Sequence, residues 1–369
     1  MNKSEVFVIG LMSGTSLDGI DLVYVKFDKN NYKNFKIINA ETLSYTDKWK
    51  GKLQKGIHFS KDDLVKLNID YGLLLGKKIN NFIDKFQIKN IDFIASHGHT
   101  ILHQPQKGIT LQIGDGQTIA NITKQKVVCD FRTQDVKLGG QGAPLVPAFH
   151  HAVFASDNVS RVIVNIGGIS NITYLPKGDS INILGFDTGP GNTLLDAWCK
   201  LHTGKNFDEK GQWAAQRSAD PELLALLNEH EYFSLPAPKS TGREQFNLPW
   251  LQHNLTQLNR QIDPQVVQAT LVMLTTNTIA KQISQFKDVE QVFICGGGAY
   301  NDFLVEQLES ELHECELCLS DELGVSADAV EAMAFAWLAY AHLNNINGSI
   351  ANVTGAERGA VLGTFCPAN

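Results

Sequence analysis

Charged side chains are scarce in this sequence, and no segment concentrates charge of one sign. Charged residues make up 19% of the 369 residues, against roughly 25% in an average globular domain. The 32 basic and 39 acidic side chains leave a formal net charge of −7, without a run or stripe of lysine and arginine. Binding to a phosphate backbone depends on such basic clusters. We therefore expect no nucleic-acid partner.

Long apolar runs are also missing, although apolar residues are plentiful. No stretch approaches the roughly 18 consecutive apolar residues that a membrane-spanning helix needs. The short apolar run near the N-terminus leads directly into polar residues and lacks the features of a signal peptide. Hydrophobic residues are 43% of the chain, which is enough for a large core and excludes a disordered chain. We expect a cytoplasmic protein without a membrane partner.

Cysteine is present but is not arranged as a framework. The six cysteines are scattered, as Cys129, Cys199, Cys295, Cys315, Cys318 and Cys366. Cys315 and Cys318 form a C-x-x-C pair, but no second pair or histidine follows at the spacing of a zinc site. They fall in a predicted strand, where positions three apart point to opposite faces. Free thiols are the expected state, with a metal or redox pair as the alternative.

A succession of strand, small polar turn and strand occurs twice in the chain. Apolar runs with strand periodicity predict these strands, at 6–11, 20–27, 37–43, 161–166, 172–175 and 182–186. Helical spacing of apolar residues predicts the main helices, at 62–86, 193–201, 264–286, 302–312 and 326–343. This is not a short solenoid repeat, so it predicts an α/β fold in which one domain topology is used twice.

The domain limits follow from this repeat and from local composition. At about 150 residues per domain, we expect residues 1–136 and 137–345 to form two domains with a cleft between them. Residues 137–147, rich in glycine and proline, are the expected hinge. Residues 212–248 have weak periodicity and many turn residues, which predicts an insertion. Residues 346–369 are a candidate for packing on the first domain.

Two glycine-rich turns occupy equivalent places in the two copies. Main-chain N–H groups and hydroxyls of such turns can donate to phosphate oxygens, and Asp18 or Asp21 can hold a hydrated Mg²⁺. The second turn contains Gly167 and Gly168. An ordinary hairpin turn uses the same residue types, but the pair favours a grip on the phosphates of ATP. We expect ATP contacts along the whole first turn, at Gly14, Thr15, Ser16, Leu17, Asp18, Gly19, Ile20 and Asp21.

Asp187 is the candidate general base, because it follows an apolar strand and precedes a glycine-rich turn into a helix. The start of that helix can accept the negative charge of phosphate, so Gly189, Gly191 and Asn192 are expected to contact ATP. The alternative is an aspartate that caps the turn.

A third glycine turn follows Cys295 and resembles a dinucleotide fingerprint, but Asn301 stands where its last glycine belongs. We expect the adenine or ribose to lie on this turn, with contacts from Gly296, Gly297, Gly298 and Asn301. The alternative is a plain strand-to-helix turn.

Histidines, hydroxyls and an arginine gather after a predicted strand. The spacing of His97, His99 and His103 fits no metal-binding helix, so a polar sugar with a carboxylate is the better ligand. Arg132 can make the two-pronged contact to that carboxylate. A structural network is the alternative. Glu331 lies in a nearly uncharged helix and must be partnered or line the cleft, because an unpaired buried carboxylate is costly.

Taken together, these motifs resemble the anhydro-N-acetylmuramic acid kinases of the sugar kinase/Hsp70/actin superfamily. The resemblance runs nearly the full length, through 10–21, 96–105, 130–132, 165–171, 185–192, 295–301 and 331–336. Its most specific strings are GTSLDGID at 14–21 and FDTGPGN at 186–192. One position departs, since His99 stands where the family usually has glutamine.

The resemblance implies two ribonuclease H-like, actin/hexokinase-type domains and a kinase that also hydrolyses. ATP would phosphorylate O6 of 1,6-anhydro-N-acetylmuramic acid while water opens the anhydro bridge at C1, in peptidoglycan recycling. Asp187 would take the proton from that water, and Glu331 matches a carboxylate near it. His97, Thr100 and Arg132 match the sugar-binding positions. Mg²⁺ and a homodimer are also implied.

Two other classes remain open at this point. One is a superfamily kinase that acts on an ordinary hexose, whose base would deprotonate the sugar hydroxyl instead of water. The other is a non-enzyme that uses the same clamp for filament assembly, client binding or repression. A repressor would need an N-terminal helix-turn-helix, and a chaperone would need a client-binding domain after the clamp.

Overall fold

Two β-sheets with the same strand order organise the chain. The computed structural model describes residues 4–14, 17, 19–178 and 182–368. The described residues divide into two units: one runs to residue 154 and resumes at 329, and the other spans 155–328. Each unit contains one of the sheets.

The first unit is built on the larger sheet. Its strands are β1 (Glu5–Ser13), β2 (Ile20–Asp28), β3 (Phe35–Leu43), β4 (Phe93–Gln104), β5 (Ile109–Ile113), β6 (Val127–Cys129) and β12 (Thr364–Cys366). Its helices are α1 (Asp47–Lys55), α2 (Lys61–Lys85), α3 (Gly116–Thr123), α4 (Thr133–Lys137), α5 (Val146–Phe154), α11 (Val330–Leu343) and α12 (Ala351–Thr354). The strand order is β12-β6-β4-β1-β2-β3, and β5 pairs with β4.

The second unit repeats this arrangement. Its strands are β7 (Ser160–Ile166), β8 (Ile169–Leu175), β9 (Leu184–Pro190), β10 (Val289–Cys295) and β11 (Glu316–Leu319), in the order β11-β10-β7-β8-β9. Its helices are α6 (Asn192–Thr203), α7 (Pro221–Asn228), α8 (Leu248–Gln257), α9 (Pro264–Ile283) and α10 (Asp302–Glu311). In both units an antiparallel three-strand meander is followed by two parallel strands. This duplicated ribonuclease H-like topology confirms the predicted fold class.

Helix α11 fixes the limits of the first unit. A Cβ on Gly10 of β1 would overlap the carbonyl oxygen of Ala332, so glycine lets this alanine-rich helix lie directly on the strand. The ring of Trp337 in α11 lies 6.3 Å from that of Phe149 in α5. Both helices therefore belong to the first unit, and its limits at 154 and 329 differ from the predicted ones after 136 and 345.

The predicted hinge lies inside the first unit. The buried carboxylate of Asp135 accepts a hydrogen bond from the Gly142 amide at 2.7 Å and another from the Thr354 hydroxyl at 2.8 Å. These bonds tie residues 137–147 to α4 and α12, because a buried carboxylate must be satisfied. The segment is thus a fixed part of one unit.

The predicted insertion, 212–248, is packed within the second unit. It contains α7 and a 3₁₀ turn at Glu231–Ser234, and the rings of Tyr232, Phe233 and Phe246 are buried. Aromatic packing holds this segment, which explains why no simple periodicity marks it in the sequence. No helix among the described residues has the length and apolar character needed to cross a membrane.

Candidate active site

The first glycine turn joins β1 to β2. Thr15, Ser16 and Asp18 of the predicted ATP site lie outside the described residues. Leu17 has a positive φ of 60° and donates its amide to the Gly14 carbonyl at 3.2 Å, which closes a tight turn. Ile20 and Asp21 already belong to β2.

Gly19 and Asp21 lie against the neighbouring strand. A Cβ on Gly19 would come within 2.6 Å of the Thr42 methyl group, so β3 passes close behind the turn. The Thr42 hydroxyl also donates to Asp21 at 2.6 Å. These contacts fix the end of the turn on β2 and β3.

A buried polar network supports the end of β1. The Tyr71 hydroxyl donates to the Ser13 Oγ at 2.9 Å, and His99 Nδ1 lies 3.2 Å from the same oxygen, which also contacts the Tyr45 hydroxyl. Burial lowers the pKa of His99 to about 4, so its ring is neutral at pH 7. The residue that departs from the family pattern therefore belongs to the support beneath the turn.

His97 and Arg132 are hydrogen-bonded to each other. The Arg132 Nε donates to His97 Nε2 at 3.1 Å, and its Nη1 donates to the Gly142 carbonyl at 2.8 Å. His97 Nδ1 lies 3.0 Å from the Gly98 carbonyl, to which it donates, and the ring packs on Phe335. Burial and the charge of Arg132 hold the pKa of His97 well below its usual range. His97 is thus a neutral support for the guanidinium.

Glu331 lies in the same electrostatic neighbourhood. Burial and the charge of Asp21 raise the pKa of Glu331, while Arg132 lowers it. Burial in turn lowers the pKa of Arg132 to about 10, against the favourable charges of Glu331 and Asp135, so it stays cationic at pH 7. The first unit therefore brings His97, Arg132, Glu331 and Asp21 together.

A pocket of about 220 Å³ adjoins this cluster within the first unit. Its lining includes Ser96, His97, Asp115 and Asp130. The Ser96 hydroxyl is buried and has no hydrogen-bond partner among the described residues. Thr100 is not part of this lining, and its hydroxyl accepts from Gln112 at 3.3 Å. The pocket presents polar groups suited to the hydroxyls of a sugar.

Asp187 lies in the second unit, inside β9 and not at its end. The strand continues to Pro190, because β8 pairs with it through this stretch. Asp187 Oδ2 accepts from the Thr241 amide at 3.0 Å, and the Asp187 carbonyl accepts from the Tyr232 hydroxyl at 2.7 Å. Burial raises the pKa of Asp187 to about 6. The carboxylate is held in place and is more basic than an exposed aspartate.

The second glycine turn is bound to the start of α6. Gly167 accepts from the Asn192 amide at 2.8 Å, and Gly168 accepts from the amides of Gly191 and Thr193 at 3.0 and 3.1 Å. The Asn192 side chain donates to the Ile166 carbonyl at 3.0 Å. The amides of Gly191, Asn192 and Thr193 thus have backbone acceptors within the unit, and contacts of Gly191 and Asn192 with ATP remain a prediction. The turn itself is shorter than predicted, because β8 begins at Ile169.

The third glycine turn is packed against the end of β7. A Cβ on Gly296, whose φ is 80°, would overlap Asn165, and one on Gly298 would overlap Ile166. Only Gly297 has an open side, since its Cβ would come no nearer than 3.6 Å to Asn192. Asn301 caps α10 by accepting from the Leu304 amide at 3.1 Å. Contacts of this turn with the adenine remain a prediction.

Gly189 shows why glycine is needed inside β9. Its φ is 150°, and a Cβ would lie 2.7 Å from the ring of Phe233. This close approach brings the 3₁₀ turn of the 212–248 segment onto β9. The glycine is explained by packing, and its predicted contact with ATP remains a prediction.

Comparison with known proteins decides the family. A family model described as anhydro-N-acetylmuramic acid kinase matches residues 6–368. The chain is 46% identical over 370 residues to the anhydro-N-acetylmuramic acid kinase of Shewanella sp. (strain ANA-3), covering 98% of each chain. It is 44% identical over 376 residues to that of Shewanella halifaxensis (strain HAW-EB4), covering 100% of each. The chain belongs to the anhydro-N-acetylmuramic acid kinase family.

The fold of the kinase is also found in a solved structure of low sequence identity. Component A of the (R)-2-hydroxyglutaryl-CoA dehydratase of Acidaminococcus fermentans aligns with a TM-score of 0.50 and 12% identity. The alignment covers 91% of this chain and 98% of that one. At this identity the likeness concerns the fold alone.

Sequence reasoning missed the groups of the kinase that hold Asp187. Tyr232, Lys239 and Thr241 all lie in the 212–248 segment. Lys239 is only 9% exposed and donates to the Tyr232 carbonyl at 3.1 Å, while its own carbonyl accepts from the Asp187 amide at 3.1 Å. The polar run Lys-Ser-Thr-Gly-Arg at 239–243 was the available signal, because it places two cations and two hydroxyls in a segment without periodicity.

Metal-binding clusters are not evident in the kinase. Across residues 4–14, 17, 19–178 and 182–368, no three histidine, cysteine, aspartate or glutamate side chains are grouped to hold a metal ion. Cys315 and Cys318 lie beside and within β11 as free thiols, and Cys315 contacts the Val289 carbonyl. Asp18, the predicted metal contact, lies outside the described residues.

Proposed function

We propose that this kinase transfers the γ-phosphoryl group of ATP to O6 of 1,6-anhydro-N-acetylmuramic acid while water opens the anhydro bridge. The product is N-acetylmuramic acid 6-phosphate. Family membership supports the substrate, and Asp187 is the observation that carries the hydrolytic half. Its partly buried carboxylate has no ion-pair partner within the described residues and a pKa of about 6. Such a group suits a general base near neutral pH.

The reaction balances with water as the second reactant. The Asp187 carboxylate takes a proton from water, whose oxygen forms a bond to C1 of the sugar. The bond between C1 and O6 breaks, and O6 takes the γ-phosphoryl group as ADP leaves. The proton leaves with Asp187 and is later released to solvent. The Thr241 amide orients the carboxylate through its 3.0 Å hydrogen bond.

We assign recognition of the sugar to the first unit. Arg132 binds the lactyl carboxylate, because its hydrogen bond to His97 orients the guanidinium, Glu331 and Asp135 favour its charged form, and the guanidinium suits a planar, two-pronged contact. The polar pocket beside His97 receives sugar hydroxyls. Thr100 stays a candidate contact, and Glu331 is assigned to the neighbourhood of the attacking water.

The carboxylates of the first unit could hold a Mg²⁺ ion whose ligands come mainly from the phosphates of ATP and from water. Mg²⁺ typically uses one or two protein carboxylates together with substrate phosphates and water. Asp21, on the strand that follows the first glycine turn, would hold it through water, and Asp18 is the second candidate. When bound, the ion neutralises charge on the phosphates.

Product analysis in ¹⁸O-labelled water tests this proposal. Purified protein receives ATP with either anhydro-N-acetylmuramic acid or N-acetylmuramic acid. We expect a 6-phosphorylated product from the anhydro sugar with one ¹⁸O atom at C1. Rapid ATP consumption only with the ring-opened sugar would overturn the proposal in favour of an ordinary sugar kinase.

We place the reaction in the cytoplasm, where ATP is available, as a step of peptidoglycan recycling. We also propose a homodimer, as the family resemblance implies. Light scattering coupled to size-exclusion chromatography measures the mass, and a mass near 40.7 kDa, that of one chain, would contradict the dimer.

A further inference from the structure

Arg243 lies directly on the second glycine turn. A Cβ on Gly168 would come within 2.9 Å of the Arg243 Nη2 and within 3.3 Å of its Nε. With glycine at this position, the guanidinium of Arg243 lies against the backbone of the turn. The arginine belongs to the 212–248 segment, 75 residues further along the chain, so the contact is made by tertiary folding.

The guanidinium of Arg243 is not used within the described residues. It makes no ion pair or hydrogen bond there, and the side chain is exposed. Lys239, the other cation of this stretch, is buried and donates to the carbonyls of Tyr232 and Phe233. Arg243 is therefore the cation that remains available beside the turn.

A second group without a hydrogen-bond partner among the described residues, the Thr193 hydroxyl, lies beside Gly168. The same Cβ position on Gly168 lies 2.9 Å from the Thr193 Oγ1. This hydroxyl oxygen is buried and has no partner among the described residues. A guanidinium and an unsatisfied hydroxyl thus flank one glycine, and both can donate hydrogen bonds to an anion.

The segment that bears Arg243 also holds the candidate base. The Thr241 amide donates to Asp187 at 3.0 Å, and Arg243 follows two residues later. A phosphate group at the turn would therefore lie near the carboxylate that serves the reaction.

We propose that Arg243 contacts the terminal phosphate of ATP at the Gly167–Gly168 turn, with the Thr193 hydroxyl as a second donor. This inference rests on the proposed function, in which ATP is the phosphoryl donor, and on the sequence prediction that this turn binds its phosphates. Arginine offers a planar pair of donors that matches phosphate oxygens, and it stabilises charge that develops during phosphoryl transfer.

Nucleotide binding to the full chain tests the proposal. Titration calorimetry compares a non-hydrolysable ATP analogue with ADP for wild type, Arg243→Ala and Arg243→Lys. We expect Arg243→Ala to weaken the analogue about 10- to 100-fold and ADP less than about twofold, since one charge-assisted contact is lost. Arg243→Lys should fall between them, because it keeps the charge without the planar pair of donors.

Arg217→Ala is the matched control, because Arg217 is an exposed arginine of the same segment and only touches the Gln216 carbonyl, at 3.3 Å. Both nucleotides should bind this variant as they bind wild type. Equal weakening of both nucleotides in Arg243→Ala, or no weakening of the analogue, would overturn the assignment. Thermal melting checks each variant, and if the alanine variant does not fold, Arg243→Lys carries the same comparison.

A different measurement, conversion of the anhydro sugar, tests the proposed function independently of the Arg243 assignment. Wild-type protein that binds the analogue but does not convert the anhydro sugar would overturn the substrate assignment, while the Arg243 comparison still stands on binding alone.

Discussion

The two units share a strand order but arrange their polar groups in opposite ways. In the first unit, Arg132 donates a hydrogen bond to His97, and the charges of Glu331 and Asp135 favour its charged form. In the second unit, Asp187 is partly buried and accepts a hydrogen bond from the uncharged Thr241 amide, and desolvation raises its pKa to about 6. Among the described residues, carboxylates of the first unit balance the charge of Arg132, whereas Asp187 of the second unit has no ion-pair partner.

In the function proposed above, this difference separates recognition of the sugar from proton transfer. A paired guanidinium keeps its charge at every physiological pH, which suits binding of an anionic group. A desolvated carboxylate without a cation gains basicity, because burial penalises its charged form. In the proposed mechanism the same ribonuclease H-like topology thus supports two roles through different strands, since Arg132 follows β6 and Asp187 lies within β9.

Replacing the unpaired carboxylate should have the largest effect. We expect Asp187→Asn to lower kcat by about 100- to 10,000-fold, the usual contribution of a general base, while the affinity for ATP stays within about twofold. Steady-state kinetics and nucleotide titration measure the two quantities. Asp302→Asn is the control, because that carboxylate is exposed and pairs with Lys210 in the same unit. A variant that keeps more than about a tenth of wild-type kcat would exclude Asp187 as the base.

Removal of the Arg132 guanidinium in the first unit should weaken binding of the sugar. We expect Arg132→Ala to raise KM for the sugar about 10- to 100-fold and KM for ATP less than about twofold, since a charge-assisted double contact is lost. Initial rates with each substrate varied give both constants. The exposed Arg358 provides the control, Arg358→Ala. An unchanged KM for the sugar would remove Arg132 from the site.

The pH dependence of kcat/KM should reflect the ionisation of Asp187 in the second unit and not that of His97 in the first. Asp187 must be ionised to accept a proton, and its pKa is raised from 3.8 to about 6. We therefore expect kcat/KM to be level above pH 7 and to fall tenfold per pH unit below 6. His97 should add no limb in this range, because its pKa is lowered and the ring stays neutral. An acid limb near pH 4, with the fold intact by circular dichroism, would contradict this assignment.

Removing a support of Asp187 should have the smallest effect. Tyr232→Phe deletes the hydroxyl that donates to the Asp187 carbonyl at 2.7 Å, and we expect kcat to fall about three- to tenfold. KM for the sugar should not change. Tyr174→Phe is matched to it, because it deletes a 2.8 Å bond to Asp288 in the same unit. Equal losses in both variants would mean that Tyr232 acts only through stability.

Elements with strong periodicity were predictable from the sequence. Helix α2 was predicted at 62–86 and spans Lys61–Lys85, and α9 was predicted at 264–286 and spans Pro264–Ile283. Both have apolar residues at helical spacing, and both have a capping side chain at the start. Strand β5 was missed, because Ile109–Ile113 has only five residues and is defined by its pairing with β4.

The residue types of the candidate site were visible in the sequence, but their partners were not. Asp187 stood out beside a glycine-rich string, while Thr241 and Tyr232 lie 54 and 45 residues away from it. Arg132 and His97 were both named, yet their hydrogen bond spans 35 residues. Such contacts depend on how strands are ordered in a sheet, and local patterns carry little information on that order.

The sequence by itself determined which residue types are available for chemistry, and it also determined that one topology is used twice. Motif residues and periodicity are local properties, so they can be read without a fold. Tertiary structure alone decided that Arg132 is paired, that Asp187 is more basic than usual and that Arg243 lies over Gly168. The reason is physical: burial and the charge of distant segments set a pKa, and both exist only once the chain has folded.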